Sequence, residues 1–328
     1  MANVAVHPLA IEATCGSLLV LTGMYTALPL WLSLLVVVAW WVYIRTMTAW
    51  SFRAPSKRKE PIEDREWVSV PVKTTLGTMQ TYHSPTIQGA PYVLACHGWS
   101  SGSIRMTDRV QPYLDRGFNA VLIDLPSHGA SSTLPYWSAE RSVSLVIESL
   151  NSIIDESGSK HSTPLFYVGH SMGGFVGFRL SKRRSELNPQ WKLSGWVMES
   201  PMTGYTEIFD ETCRLLKVPN LFKKSLEYRV LKRFQTLNPS TTDIEGLNDA
   251  DLPVWGMVQE PCLLVQADPD DRLGDSHHER LVNTMGHQGK GLLSTHMLPT
   301  LTHSGSHVHP QRNQLVGEWL DAMLKDSP

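Results

Sequence analysis

Residues 165–174 read Leu-Phe-Tyr-Val-Gly-His-Ser-Met-Gly-Gly, a short apolar run that drives into Gly169-His170-Ser171-Met172-Gly173. Gly-x-Ser-x-Gly between a strand and a helix makes a sharp, strained turn that pushes the serine hydroxyl out above a sheet, within reach of a base. A Cβ at Gly169 or Gly173 would collide with the adjoining strand or helix. Ser171 is the candidate nucleophile, and the chemistry it implies is hydrolysis or acyl transfer. A serine hydroxyl is a weak nucleophile near neutral pH. It needs a general base, a group that fixes the tautomer of that base, and N–H donors for the developing oxyanion.

The base is expected at His303, which closes Leu298-Pro299-Thr300-Leu301-Thr302-His303 after the last strand. His307 is the alternative on the same loop, which also carries His309; one of the three can serve. The acid is expected within Leu263-Leu264-Val265-Gln266-Ala267-Asp268-Pro269-Asp270-Asp271. Asp270 is favoured, with Asp271 and Asp268 as alternatives. A plain Asx turn is the competing reading of that cluster, and Glu199, at the end of the preceding strand, is an outside candidate. The oxyanion donors are expected at the N–H groups of Met172 and of Trp99 in His97-Gly98-Trp99, where Gly98 permits close backbone approach. His277-His278-Glu279 makes a poor metal site, because adjacent helical residues point to different faces. No metal or other cofactor is expected.

These groups need elements to hold them. From about residue 66, strand and helix patterns alternate. Strands are predicted over 66–73, 75–83, 91–96, 118–124, 165–168, 192–199, 261–267 and 292–299, the first two as an antiparallel start. Helices are predicted over 105–116, 139–156, 172–184, 276–285 and 311–324, with 201–259 aperiodic and partly helical. Such alternation implies right-handed crossovers and a mainly parallel sheet covered on both faces.

The chain has 328 residues, 29 Lys and Arg against 31 Asp and Glu, so no basic excess points to nucleic acid. Cys15, Cys96, Cys213 and Cys262 are scattered, without a Cys-x-x-Cys pair, and read as reduced thiols. From Leu18 to Ile44 there is no charged residue, and a bilayer core takes roughly 20 apolar residues as helix. Pro29 either kinks this span or marks its start. Trp40, Trp41, Tyr43 and Trp50 resemble an interfacial belt. No Lys or Arg precedes the span, whereas Arg45, Arg53, Lys57, Arg58 and Lys59 follow it. The positive-inside rule then predicts a single-pass anchor in the lipid bilayer with the C-terminal side in the cytoplasm. The expected organisation is an anchor over 1–50, a linker over 51–65 and a catalytic domain over 66–328.

His97-Gly98-Trp99, Asp124-Leu125-Pro126-Ser127-His128-Gly129-Ala130-Ser131, Gly169-His170-Ser171-Met172-Gly173-Gly174, Asp270–Leu273 and Thr302-His303 together resemble the successive signatures of the α/β-hydrolase superfamily. The order Ser171, Asp270, His303 is the order of that fold. The resemblance covers about 66–328 and implies an α/β fold: a mostly parallel eight-stranded sheet, helices on both faces, and a small helical cap after strand six, about 202–259. A serine nucleophile argues against the epoxide-hydrolase and dehalogenase branches, which use aspartate. Ala267 and Ser127 depart from the family pattern, where glycine is common. The expected function is a membrane-tethered serine hydrolase that cleaves a small acyl ester through an acyl-enzyme. In the cap, Leu215, Leu216, Val218, Leu221 and Phe222 either line an acyl pocket or serve as packing. A thioesterase, amidase, peptidase or acyltransferase would use the same residues, and a non-catalytic ligand-binding hydrolase fold is the remaining alternative.

Overall fold

A computed structural model describes residues 7–26, 29–56, 58–157, 162–287 and 291–325. Lys57 of the basic linker lies outside them. Among the described residues, eight strands form one sheet: β1 Val68–Thr74, β2 Gly77–His83, β3 Tyr92–Cys96, β4 Asn119–Ile123, β5 Thr163–His170, β6 Trp191–Glu199, β7 Cys262–Ala267 and β8 Leu293–Leu298. Their order is β1-β2-β4-β3-β5-β6-β7-β8. β2 is antiparallel to both β1 and β4, and β4, β3 and β5 to β8 run parallel. The chain belongs at this level to the expected α/β architecture.

Burial follows the sequence pattern. β4 (Asn-Ala-Val-Leu-Ile) and β7 (Cys-Leu-Leu-Val-Gln-Ala) are buried at every residue, as strands covered on both faces must be. β1 and β8, at the sheet's two edges, are mostly exposed. The helices, in chain order, are α1 Pro8–Tyr25, α2 Leu30–Trp50, α3 Thr107–Leu114, α4 Ala139–Ser157, α5 Met172–Lys182, α6 Thr206–Leu215, α7 Asn220–Leu237, α8 Asp275–His287 and α9 Pro310–Lys325. Val110 and Tyr113 of α3 and Val316 and Leu320 of α9 pack on Val93, Ala95, Val168, Val197 and Val265. α4 packs against α5, burying Val143, Val146, Ile147, Phe175 and Phe178. Each such large side chain contributes about 1.5–3 kcal/mol of transfer free energy.

The chain divides into two compact units: the N-terminal helices through Arg53 with Tyr205–Asp249, and Ala54–Gly204 with the chain from Ala250 onward. Of the segment expected as a cap, about 202–259, Tyr205–Asp249 groups with the N-terminal helices. Residues after Ala250 return to the sheet unit, where Trp255 stacks on Phe175 at 4.4 Å and donates from Nε1 to its carbonyl. The cap helices also share a core with the N-terminal helices: Ile44, Met47 and Phe52 pack with Phe209, Cys213, Val218, Leu226 and Val230. Val218, Leu216 and Phe222, candidates for an acyl pocket, lie in or against that core, while Leu215 and Leu221 are exposed.

The apolar stretch from Leu18 to Ile44 is not one helix. Pro29 caps a new helix, α2, and Leu30–Trp50 is the one helix among the described residues long and apolar enough to cross a membrane. Proline lacks an N–H and fits just ahead of a helix, where that donor would be unpaired. Ala27 and Leu28 lie outside the described residues. Of the expected aromatic belt, Trp41 and Trp50 are exposed, whereas Trp40 and Tyr43 pack against Phe222 and the carbonyl of Leu216. Arg58 is not a free linker charge: it donates to the carbonyls of Gly129 and Ser131.

Candidate active site

β5 ends at His170 and α5 begins at Met172, leaving Ser171 between them at φ 52°, ψ −117°. A non-glycine residue there stores about 1–3 kcal/mol of strain, which its surroundings must over-determine. They do. The Ser171 N–H donates to the Glu199 carbonyl at 3.1 Å, and its own carbonyl accepts from Gly174 and Met202, each at 3.0 Å. The flanking glycines are steric requirements. A Cβ on Gly173 would lie 2.0 Å from the Cys96 carbonyl oxygen, and one on Gly169 would lie 2.8 Å from the Gly174 backbone.

The structure brings Ser171, His303 and Asp270 together. His303 Nε2 lies 2.9 Å from Ser171 Oγ, and its Nδ1 lies 2.9 Å from Asp270 Oδ2. His303 is buried, at 6 % exposure, as is Asp270. Burial pushes the Asp270 carboxyl up, but hydrogen bonds from His303 and from the N–H groups of Leu273 and Arg272 outweigh it and bring it down to about 2. Gln266 Nε2 donates to Oδ2 at 3.0 Å, so both carboxylate oxygens are held. With Asp270 accepting, Nδ1 carries the proton and Nε2 faces Ser171 as an acceptor. In this series Oγ can give up its proton as it attacks, and the imidazolium that forms sits against a carboxylate.

The alternatives go elsewhere. Asp268 and Asp271 are exposed. His307 is exposed and bonds the Gly305 carbonyl on its own loop, while His309 is engaged by Thr300 and the Arg312 N–H. His277 is buried and accepts from the Thr203 N–H, His278 is half-buried and Glu279 is exposed, so the three diverge.

Glu199 lies behind the histidine instead of beside it. Arg109 grips its two carboxylate oxygens, and Arg312 Nη1 donates to Oε2 at 3.0 Å. Burial raises its carboxyl, but Arg109 and Arg312 pull it down to about 2. Arg312 also donates to the carbonyl of Ser306, is paired with Asp108, and so ties α9 and α3 to the loop that carries His303. His170 completes this wall: its Nε2–H donates to the His303 carbonyl at 2.8 Å. Arg109, Arg312, His170 and Gln266 were not singled out from the sequence. An arginine in an amphipathic helix ordinarily reads as a solvated residue, and nothing local marks these as buried.

The loop after β3 runs directly against the elbow, for a Cβ on Gly98 would lie 3.1 Å from Ser171 Cβ. Trp99 follows it, half-exposed, with its ring edge-on to His128 and Trp137. Met172 is the first residue of α5, so its N–H has no carbonyl a turn earlier in the helix to donate to and lies at the positive end of the helix dipole. Ser127 adopts φ 67°, which explains the family's preference for glycine there; its Oγ instead accepts from the Leu134 N–H at 2.8 Å and holds the turn. Ala267 is buried within β7 and donates to Ser200 Oγ, so the strand needs no glycine there.

Three histidines around the site are neutral in the fold. Burial lowers His97, and it lowers His128 and His170 to about 3. Unfolded histidine titrates near ~6.5. The unfolded chain therefore binds more protons below that value, so their stabilisation is intact above about pH 6.5 and is lost as pH falls, for His128 and His170 down to about 3. Each contributes a slope of up to about 1.4 kcal/mol per pH unit. The urea midpoint is expected to fall markedly between pH 7.5 and pH 5; a flat profile would show these imidazoles to be solvated.

The sheet order, the strained turn and the hydrogen-bonded series define a class of protein: this chain belongs to the α/β-hydrolase superfamily. A family model described as serine aminopeptidase, S33 matches residues 90–251. Among solved structures it is similar to the esterase Pf2001 of Pyrococcus furiosus, at 14 % identity and a TM-score of 0.57, over 83 % of this chain and 99 % of that one. It is also similar to an α/β hydrolase from Vibrio vulnificus, at 17 % identity and a TM-score of 0.52, over 81 % and 82 %. Mouse α/β hydrolase domain-containing protein 10 is similar at 12 % identity and a TM-score of 0.51, over 79 % and 98 %. At these identities the likeness is one of fold. No curated protein matches the chain significantly in sequence.

Proposed function

We propose that the protein is a membrane-associated serine hydrolase that cleaves carboxylic esters through an acyl-enzyme on Ser171. One observation carries the reading: Ser171, His303 and Asp270 are hydrogen-bonded in series, each contact 2.9 Å, with the serine on a strained strand-to-helix turn. In this reading His303 takes the proton from Oγ as the serine attacks the ester carbonyl, then gives it to the leaving alcohol. Asp270 holds the imidazole in its tautomer and stabilises the imidazolium. The N–H groups of Met172 and Trp99 receive the oxyanion. Water, activated by His303, then releases the acid. Attachment to a bilayer rests on the apolar N-terminal helices, and it would concentrate the enzyme beside acyl esters. The basic residues after α2 support a cytoplasmic catalytic unit.

A second reading, an aminopeptidase using the same residues, is favoured by the family model that the chain matches. A substrate panel separates the two. Para-nitrophenyl esters of two to sixteen carbons and aminoacyl p-nitroanilides are assayed with the full-length protein, after labelling by a fluorophosphonate. Labelling at Ser171 with turnover of the esters alone is the expected result. Turnover of anilides over esters would favour the peptidase, and absence of labelling would remove the nucleophile.

A further inference from the structure

α1 and α2 fold back on one another. Gly16 faces Val37, and a Cβ on Gly23 would lie 2.5 Å from Ser33 Oγ and 3.4 Å from Leu30 Cα. These pairings run in opposite directions along the two helices, so α1 and α2 form an antiparallel pair. Glycine at the crossing lets the backbones come close.

The two ends of this hairpin are held by the polar helix α7. Near the start of α1, Glu12 pairs with Arg229 at 2.5 Å and accepts from Ser225, while His7 lies edge-on to Tyr228 at 5.0 Å. In the second half of α2, Trp40 packs on Phe222 at 4.2 Å, and Ile44 and Met47 enter the core with Leu226 and Val230. α7 carries Lys223, Lys224, Glu227, Arg229, Lys232 and Arg233 within 18 residues. Charged side chains at this density are strongly disfavoured in a bilayer interior, so α7 does not enter lipid. The parts of α1 and α2 fastened along it stay out as well.

What remains is the tip. Leu18, Leu21, Met24, Trp31, Leu34 and Leu35 are each 47–66 % exposed, and no charged residue lies between Glu12 and Arg45. From Leu30 to Ala39 the helix rises about 15 Å, half of the ~30 Å hydrocarbon core. At the base, Arg45 stacks on the exposed ring of Trp41 at 4.5 Å, a cation and an indole suited to the headgroup layer. The uncharged exposed tip, its depth and this basal pair select a lipid leaflet as the occupant.

We infer that α1 and α2 form a re-entrant hairpin whose tip enters a single leaflet, in place of the single-pass span that hydropathy suggests. The N-terminus and the catalytic unit then lie on the same face of the membrane, because α7 belongs to a segment inserted in the catalytic chain and α1 is fastened to it. The inference rests on the membrane attachment proposed above.

The test uses the full-length protein with an N-terminal epitope tag, in sealed vesicles whose outer face exposes the catalytic unit. Protease added to the sealed vesicles is expected to remove both tag and catalytic unit, while a parallel, undigested sample stays with the membrane through a carbonate wash. A protected tag on carbonate-resistant protein would overturn the hairpin while leaving membrane attachment standing. Recovery in the supernatant, as a monomer or as a dimer joined at the tip, would overturn both. A second arm measures binding to phosphatidylcholine vesicles. Leu34→Glu with Leu35→Glu, at exposed positions, is expected to weaken partitioning at least tenfold with the thermal unfolding profile unchanged; unaltered binding would overturn the inference.

Discussion

Ser171→Ala is expected to lower kcat for short p-nitrophenyl esters by at least about 10⁴-fold, with a ceiling near 10⁶. In the proposed mechanism attack by Oγ creates the acyl-enzyme, and alanine has no hydroxyl to attack with. The fold should be nearly indifferent to the change. Alanine and serine have the same Cβ and the same strain at φ 52°. The loss is one hydrogen bond to His303 Nε2, about 1 kcal/mol. Kinetics and thermal unfolding are measured on the same preparations. A variant that folds normally and hydrolyses at the wild-type rate would eliminate Ser171 as nucleophile.

The second large effect lies in the wall behind the histidine. Glu199→Ala would leave the guanidinium groups of Arg109 and Arg312 facing each other without their shared carboxylate. The pair is about as deeply buried as anything in the molecule: Arg312 and Glu199 side chains are each 2 % exposed. Breaking a buried ion pair by removing one partner costs about 3–5 kcal/mol. For a domain of this size that corresponds to a fall in Tm on the order of 10 °C. Activity should fall as well, because Arg312 holds the Ser306 carbonyl on the His303 loop. Glu199→Gln keeps the shape and an acceptor oxygen, and should recover part of the stability. If Glu199→Ala unfolds at the wild-type temperature, the cluster is not the brace its geometry describes.

The features that mark the candidate nucleophile are local in the chain. The elbow is five consecutive residues, and its glycines are required by atoms within one strand and one helix, so Gly169 and Gly173 could be read directly. His303 and Asp270 are legible from their positions after strands, since a parallel sheet collects its strand ends on one edge. The acid could be narrowed only to a cluster, because burial separates Asp270 from exposed Asp268 and Asp271, and burial is decided by what packs above the loop. The pairing of Arg109 and Arg312 with Glu199 joins residues 90 and 113 positions apart. No periodicity encodes such a contact.

The N-terminal region shows the same division. Hydropathy identified an apolar stretch and Pro29, and backbone chemistry explains why a helix restarts there. Whether the stretch crosses a bilayer or doubles back depends on Glu12 finding Arg229, more than 200 residues away, and on Trp40 finding Phe222. By itself the sequence determined the alternation of strands and helices, the strained serine turn and the presence of apolar N-terminal helices. These are short-range consequences of sterics and of apolar spacing. Only the tertiary structure decided which carboxylate meets His303, which charges brace it, and which faces of α1 and α2 are left exposed. Those depend on which distant surfaces exclude water from one another.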